Sequence, residues 1–95
     1  MGKKIVLSES VELEVRGKVL KVLPLSIGKM LEISPKMAKA EKITDIAKQA
    51  EIFLAVAYDI LKYSGNDVKK EELKDILTLE AVIKITQIAM GAGNV

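Results

Sequence analysis

Cysteine and histidine are both absent from this 95-residue chain, and tryptophan is absent with them. Without Cys there is no disulfide, no thiolate metal site and no thiol nucleophile; without His the commonest general base at neutral pH is gone. A cysteine-free chain fits a reducing cytoplasm. Aromatic residues make up only 3%, so a core must be built from Ile, Leu, Val, Ala and Met. Long apolar runs are missing as well. The longest, "IFLAVAY" (52–58), falls far short of the roughly 20 residues that cross a bilayer. The opening "MGKKIVLSES" returns to polar residues after "IVL", too soon for a secretory signal. The net charge of +2 is too small to call for a polyanionic partner. It is unevenly spread, with ten Lys and Arg against six acids in residues 1–48 and five against seven in residues 49–95. Most of the excess is dispersed Lys and reads as solvated surface.

What is present has the balance of a globular chain: 49% hydrophobic and 29% charged residues. The length suits one domain, expected over residues 1–90 with a flexible tail at 91–95. "VELEVRGKVLKVLPL" alternates with period two. Val11, Leu13 and Val15 face one side, Glu12, Glu14 and Arg16 the other, and Gly17 stands where a tight turn needs positive φ. "KIVLS" (4–8) could add a third strand, and Pro24 ends the pairing because it has no N–H to donate.

Ser26 is placed to cap a short helix that Pro35 should interrupt near Ile33, followed by a lysine-rich connector at 36–42 that could itself be helical. Thr44 or Asp45 can cap a long helix with Ile46, Ala50, Phe53, Ala57, Ile60 and Leu61 on its core face, stopped at Gly65. A short helix at 69–77 carries acids in its early turns. Thr78 caps a last helix ending near Met90. The expected fold class is therefore α+β, mainly helical: a short N-terminal hairpin or meander packed on three to four helices.

No motif here carries catalysis. "SIGK" (26–29) matches S-x-x-K, but the companion motifs of serine acyl-enzymes are missing, and a capped helix start explains it better. Glu71, Glu72 and Asp75 lack calcium-loop spacing. "GAG" (91–93) follows a helix, whereas a phosphate cradle precedes one, so it reads as a helix stop. The expectation is a non-enzymatic chain with no cofactor and no metal. "IAKQA" (46–50) resembles the first helix of a helix-turn-helix unit, but Glu51 stands where that unit has glycine and no recognition helix follows, so nucleic acid is an unlikely partner.

The informative feature is surplus apolar surface. On the long helix Ile52, Val56 and Tyr63 form a second stripe beside the core face. On the last helix Glu80, Lys84 and Gln87 make one polar strip. Leu79, Ile83 and Met90 lie to one side of it and Ile88 to the other, with Val82, Ile85 and Ala89 filling the rest. A helix that is apolar nearly all round is either enclosed by its own chain or docked on a second one. The docking alternative places Ile52, Val56, Tyr63, Val82, Ile85, Ile88, Ala89 and Met90 at a protein-binding surface.

"GKVLKVLPLSIGKMLEI" (17–33) resembles the start of the tail assembly chaperones of long-tailed, siphovirus-like bacteriophages and related prophages. In that family a short β segment runs through a Leu-Pro-Leu-Ser/Thr-x-Gly-like turn into a helix. "EELKDILTLEAVIKITQIAMG" (71–91) is similar to the family's end, a short acidic helix, then Leu-Thr-x-Glu, then an aliphatic helix. The resemblance covers most of the chain; the lysine-rich "KMAKAEK" (36–42) is not part of it. It implies a protein that binds the hydrophobic tape measure protein and recruits tail tube protein during tail assembly; the surplus apolar surface adds the expectation of self-association. Such a protein acts in the cytoplasm of the bacterial host and is absent from the mature virion. The resemblance also implies that this chain is a short form, with "GAGNV" near the junction to a frameshifted longer one. A small structural head–tail or tail accessory protein is the alternative, and a small DNA-binding regulator the third.

Overall fold

In the computed structural model, which describes residues 10–91, a two-stranded antiparallel hairpin is followed by four helices. β1 (Val11–Val15) pairs with β2 (Lys18–Val22) so that Leu13 lies opposite Leu20 and Val15 opposite Lys18. The two-residue loop has φ of 48° at Arg16 and 82° at Gly17. Two successive positive φ values match the right-handed twist of the strands; glycine takes this conformation freely, whereas Arg16 is held in it. The alternation expected from the sequence is present: Val11, Leu13 and Val15 are half-buried while Glu12 and Glu14 are exposed. Leu20 and Val22 on β2 are fully buried. The proposed third strand at 4–8 lies outside the described residues.

β2 does not end in open water. Asn66, in the loop after the long helix, accepts from the Lys21 N–H (2.8 Å) and donates to the Lys21 carbonyl (2.7 Å), standing in for a neighbouring strand. Ser64 accepts from the Leu23 N–H at 2.9 Å and donates to the Ile60 carbonyl at 2.8 Å.

α1 (Ile27–Glu41) starts as expected, with Ser26 Oγ accepting from the Lys29 N–H at 3.2 Å. It does not stop at Ile33. It runs through Pro35, where a break was expected, and takes up the lysine-rich segment as part of the same helix. The reason is burial. Ile33 and Ala40 are fully buried and Met37 is half-buried, at helical spacing on one face. A break at Pro35 would swing Met37 and Ala40 off the core. Pro35 itself is exposed, where water can solvate the Leu31 carbonyl that loses its partner.

α2 (Ile46–Tyr63) is the element on which α1, β2 and the two later helices pack. Asp45 caps it, accepting from the N–H groups of Ala47 (2.9 Å) and Lys48 (3.3 Å). Phe53, Val56, Ala57, Ile60 and Leu61 are buried. Ile46, expected on the core face, is 73% exposed, because the first turn of α2 projects past its neighbours. The helix ends at Gly65, φ 90°, with the Gly65 N–H on the Lys62 carbonyl and the Asn66 N–H on the Leu61 carbonyl. This is the paired closure of a Schellman stop, which needs the left-handed conformation at that residue.

α3 (Lys70–Ile76) buries Leu73 and is tied to β2 where Lys18 Nζ donates to Glu72 Oε2. α4 (Leu79–Ala89) is capped by Thr78, whose hydroxyl accepts from the Ala81 N–H at 3.1 Å. Its end is pinned where the Leu25 N–H donates to the Ala89 carbonyl at 2.9 Å. Gly91, φ 85°, follows as the stop.

Candidate protein-docking surface

α4 sits between α2 and β2, and that position decides which of its faces is wet. Val82, Ile85, Ile88 and Ala89 point into the chain's own core, each at most 4% exposed. Val56 on α2 is 1% exposed, covered from the α1 and β2 sides. The packing of α4 on α2 and β2 removes Ile85, Ile88 and Ala89 from the docking surface expected there, whereas Val82 and Val56, though almost fully covered, each line a cleft. Ile52 and Met90 are half-buried and pack against the core. Tyr63 is 40% exposed but has a structural partner: its hydroxyl oxygen accepts from the Ser26 N–H at 3.2 Å, and Lys29 lies 6.0 Å from its ring centroid. It ties the end of α2 to the start of α1.

The apolar surface that remains lies around the first turns of α4. Leu79 and Ile83, four residues apart, are 45% and 46% exposed. A cleft of about 290 Å³ opens on the α2 and α3 side, lined by Ala50, Leu54, Leu73, Leu77 and Leu79. A second, wider cleft of about 640 Å³ opens on the hairpin side, lined by Leu13, Val15, Ala81 and Ile83. Thr78 lines both, so the start of α4 is a ridge between two clefts, the first mainly apolar and the second mixed. Charged residues of both signs share the lining: Glu51 and Lys74 in the first, and Glu14, Arg16, Glu80 and Lys84 in the second. Apolar side chains interspersed with charged ones are what a groove for an amphipathic helix or peptide offers. The polar strip Glu80, Lys84 and Gln87 is exposed as expected and forms one wall of the second cleft.

Leu79 and Ile83 were within reach of sequence reasoning, because they border that strip at i, i+4 spacing. Leu13 and Val15 were not, because the strand pattern assigns them to the covered face and only the fold leaves that face half open.

A third cleft, about 310 Å³, lies between α1 and α2 and is lined by Lys36, Lys39, Glu51, Ile52, Ala55 and Val56. Two lysines of the segment 36–42, Lys36 and Lys39, thus line a groove.

The groups with catalytic or ligating potential in the sequence have ordinary structural partners. Ser26 is occupied as a cap, and Lys29 Nζ donates to Asp59 Oδ1 at 2.9 Å. That hydrogen bond raises the Lys29 pKa above its usual 10.5. Glu72 is held below the usual carboxylate value by the hydrogen bond from Lys18. Glu71 is 3.8 Å from Lys74.

No protein-family model, curated protein or solved structure matches the chain. The fold and surface define a mainly helical α+β domain with partly apolar clefts, and no helix among the described residues is long and apolar enough to cross a membrane.

Proposed function

We propose that this protein is a non-enzymatic assembly chaperone of the phage-tail type, which binds an amphipathic, apolar helical segment of a tape measure protein in the clefts beside α4. The single observation that carries this reading is the exposed apolar pair Leu79 and Ile83 on a ridge between two open clefts whose linings combine apolar and charged side chains. An amphipathic helix recognises such a groove by apolar anchors at i, i+3 or i+4, and i+7, while its polar residues meet the charged side chains. The sequence resemblance over 17–33 and 71–91 supplies the tape measure protein as occupant, the tail tube protein as the subunit recruited, and the host cytoplasm as the place of action. The finished virion would lack the chaperone.

The test is co-expression with the tape measure protein of the same genome. The expected result is a soluble complex that Ile83→Glu and Leu79→Glu weaken while the free variants stay folded. The reading is overturned if the tape measure protein is neither bound nor kept soluble, or if purified particles contain the chain as a stoichiometric component. The latter outcome would favour a structural tail or head–tail protein.

A further inference from the structure

The hairpin has two outer edges, and the described residues close one of them. A two-residue loop makes Val15 and Lys18 a hydrogen-bonded pair, so Leu13 with Leu20 and Val11 with Val22 are bonded as well. The residues between them, Glu12 and Glu14 on β1 and Val19 and Lys21 on β2, therefore turn their backbone N–H and C=O outward. Lys21 follows this rule: both of its outward groups are taken by the Asn66 side chain, at 2.8 and 2.7 Å. Among the described residues, nothing takes those of Glu12 and Glu14.

This edge borders the wider of the clefts beside α4. Leu13, Glu14, Val15 and Arg16 run consecutively along it, and Ala81 and Ile83 line the α4 side. Two donors and two acceptors repeating about every 7 Å along one strand fit an extended backbone, whereas a helix uses its own N–H and C=O groups internally. In such a backbone alternate side chains lie over Leu13, Val15 and Ile83 and so are apolar; the others stand beside Glu12 and Glu14 on the exposed face of the hairpin. The charges around the edge balance, Glu12, Glu14 and Glu80 against Arg16, Lys21 and Lys84, while Lys18 is taken up by Glu72. Net charge therefore does not choose the partner, but position does. Glu12 has Lys21 across the ladder, whereas Glu14 has Val19, so a base is favoured beside Glu14.

We propose that the outer edge of β1 is a strand-addition site, which takes an antiparallel extended segment of a partner protein with apolar residues at alternate positions and a base next to Glu14. A second copy of this chain does not fit. Two β1 strands joined edge to edge in antiparallel pairing would set an outward-turned glutamate opposite an outward-turned glutamate, and like charges directly opposite are destabilising. The edge lies across α4 from the first cleft, so strand addition there does not depend on a helix bound in that cleft.

The test peptide is acetyl-Val-Lys-Val-Lys-Val-amide, whose two lysines would stand opposite Glu12 and Glu14. It is added to the full chain while amide hydrogen exchange is followed by NMR. The expected result is slower exchange at Glu12 and Glu14, about tenfold with peptide at ten times its Kd, and no change at Leu13 and Val15, which β2 already holds. The same peptide N-methylated at both lysines keeps every side chain but cannot donate to the Glu12 and Glu14 carbonyls, and should give no protection. The proposal is overturned if neither peptide protects these amides, or if both protect them equally. Glu12 and Glu14 amides already protected in the free chain overturn it too. Protection that survives dilution would assign the edge to another segment of the same chain, and protection lost on dilution to a second copy.

Discussion

Asn66 makes three side-chain hydrogen bonds, two to the backbone of Lys21 and one from Nδ2 to the Leu61 carbonyl at 2.8 Å. It joins the end of α2 to the outer edge of β2, in a loop whose sequence, "SGND", signals only a turn. Ser64 beside it is 4% exposed and holds the Leu23 N–H. Removing one partner of a partly buried pair leaves the other unsatisfied, which costs about 1–3 kcal/mol. Ser64→Ala is expected to lower the urea-unfolding free energy by that amount, and Asn66→Ala by about 0.5–1.5 kcal/mol, since its two bonds to Lys21 are exposed to water. An unchanged midpoint for Asn66→Ala would mean that water replaces the amide at the strand edge. At the same scale the turn shows how far local signals reach. Gly17 is marked by its type, whereas Arg16 takes φ 48° because strand register forces both loop residues into the left-handed region.

At the scale of elements, α1 is where local propensity and tertiary packing conflict. Proline inside a helix loses one backbone hydrogen bond and crowds the preceding turn, at roughly 3 kcal/mol. The helix continues because Met37 and Ala40 lie beyond it on the face that Ile33 begins. Pro35→Ala should therefore stabilise the protein by about 1–3 kcal/mol, read as a rise in melting temperature. A lower melting temperature would show that α1 needs the proline. A second element-scale link is the pair Lys18–Glu72 between β2 and α3. Its hydrogen bond lowers the Glu72 pKa from the ordinary 4.5. The linkage sign follows: the stabilisation is present above pH 4.5 and is lost as pH falls through the lower, folded value. Both side chains are about a third or more exposed, so the effect is small and weakens with salt. Glu72→Gln should flatten this part of the acid limb of a stability–pH profile. The Lys29–Asp59 pair has the opposite sign, its contribution complete below pH 10.5 and lost only above it.

At the scale of the molecule, two isoleucines one half-turn apart on α4 separate folding from binding. Ile85 is fully buried and Ile83 is 46% exposed. An ionised carboxylate at Ile85 would have no partner in the core, and small domains have only about 5–15 kcal/mol to lose, so Ile85→Glu should unfold the chain. Ile83→Glu should change stability by about 1 kcal/mol or less while disturbing a bound helix. Circular dichroism melts of the two variants, side by side, decide this. A folded Ile85→Glu protein would contradict the core described above.

The sequence by itself determined the hairpin, the capped helix starts at Ser26 and Thr78 and at Thr44 or Asp45, the stop at Gly65, and the α+β class. These depend on neighbours along the chain: a period of two or 3.6, a side chain that reaches an N–H two or three residues on, a glycine with φ free to turn positive. Only the tertiary structure decided the continuation through Pro35, the exposure of Ile46, the covering of Val56, Val82, Ile85, Ile88 and Ala89, and the half-open state of Leu13 and Val15. Each depends on which element lies across from a given face, and for a helix apolar almost all round, periodicity cannot tell the covered side from the free one. The packing of α4 between α2 and β2 makes that choice and leaves Leu79 and Ile83 outside.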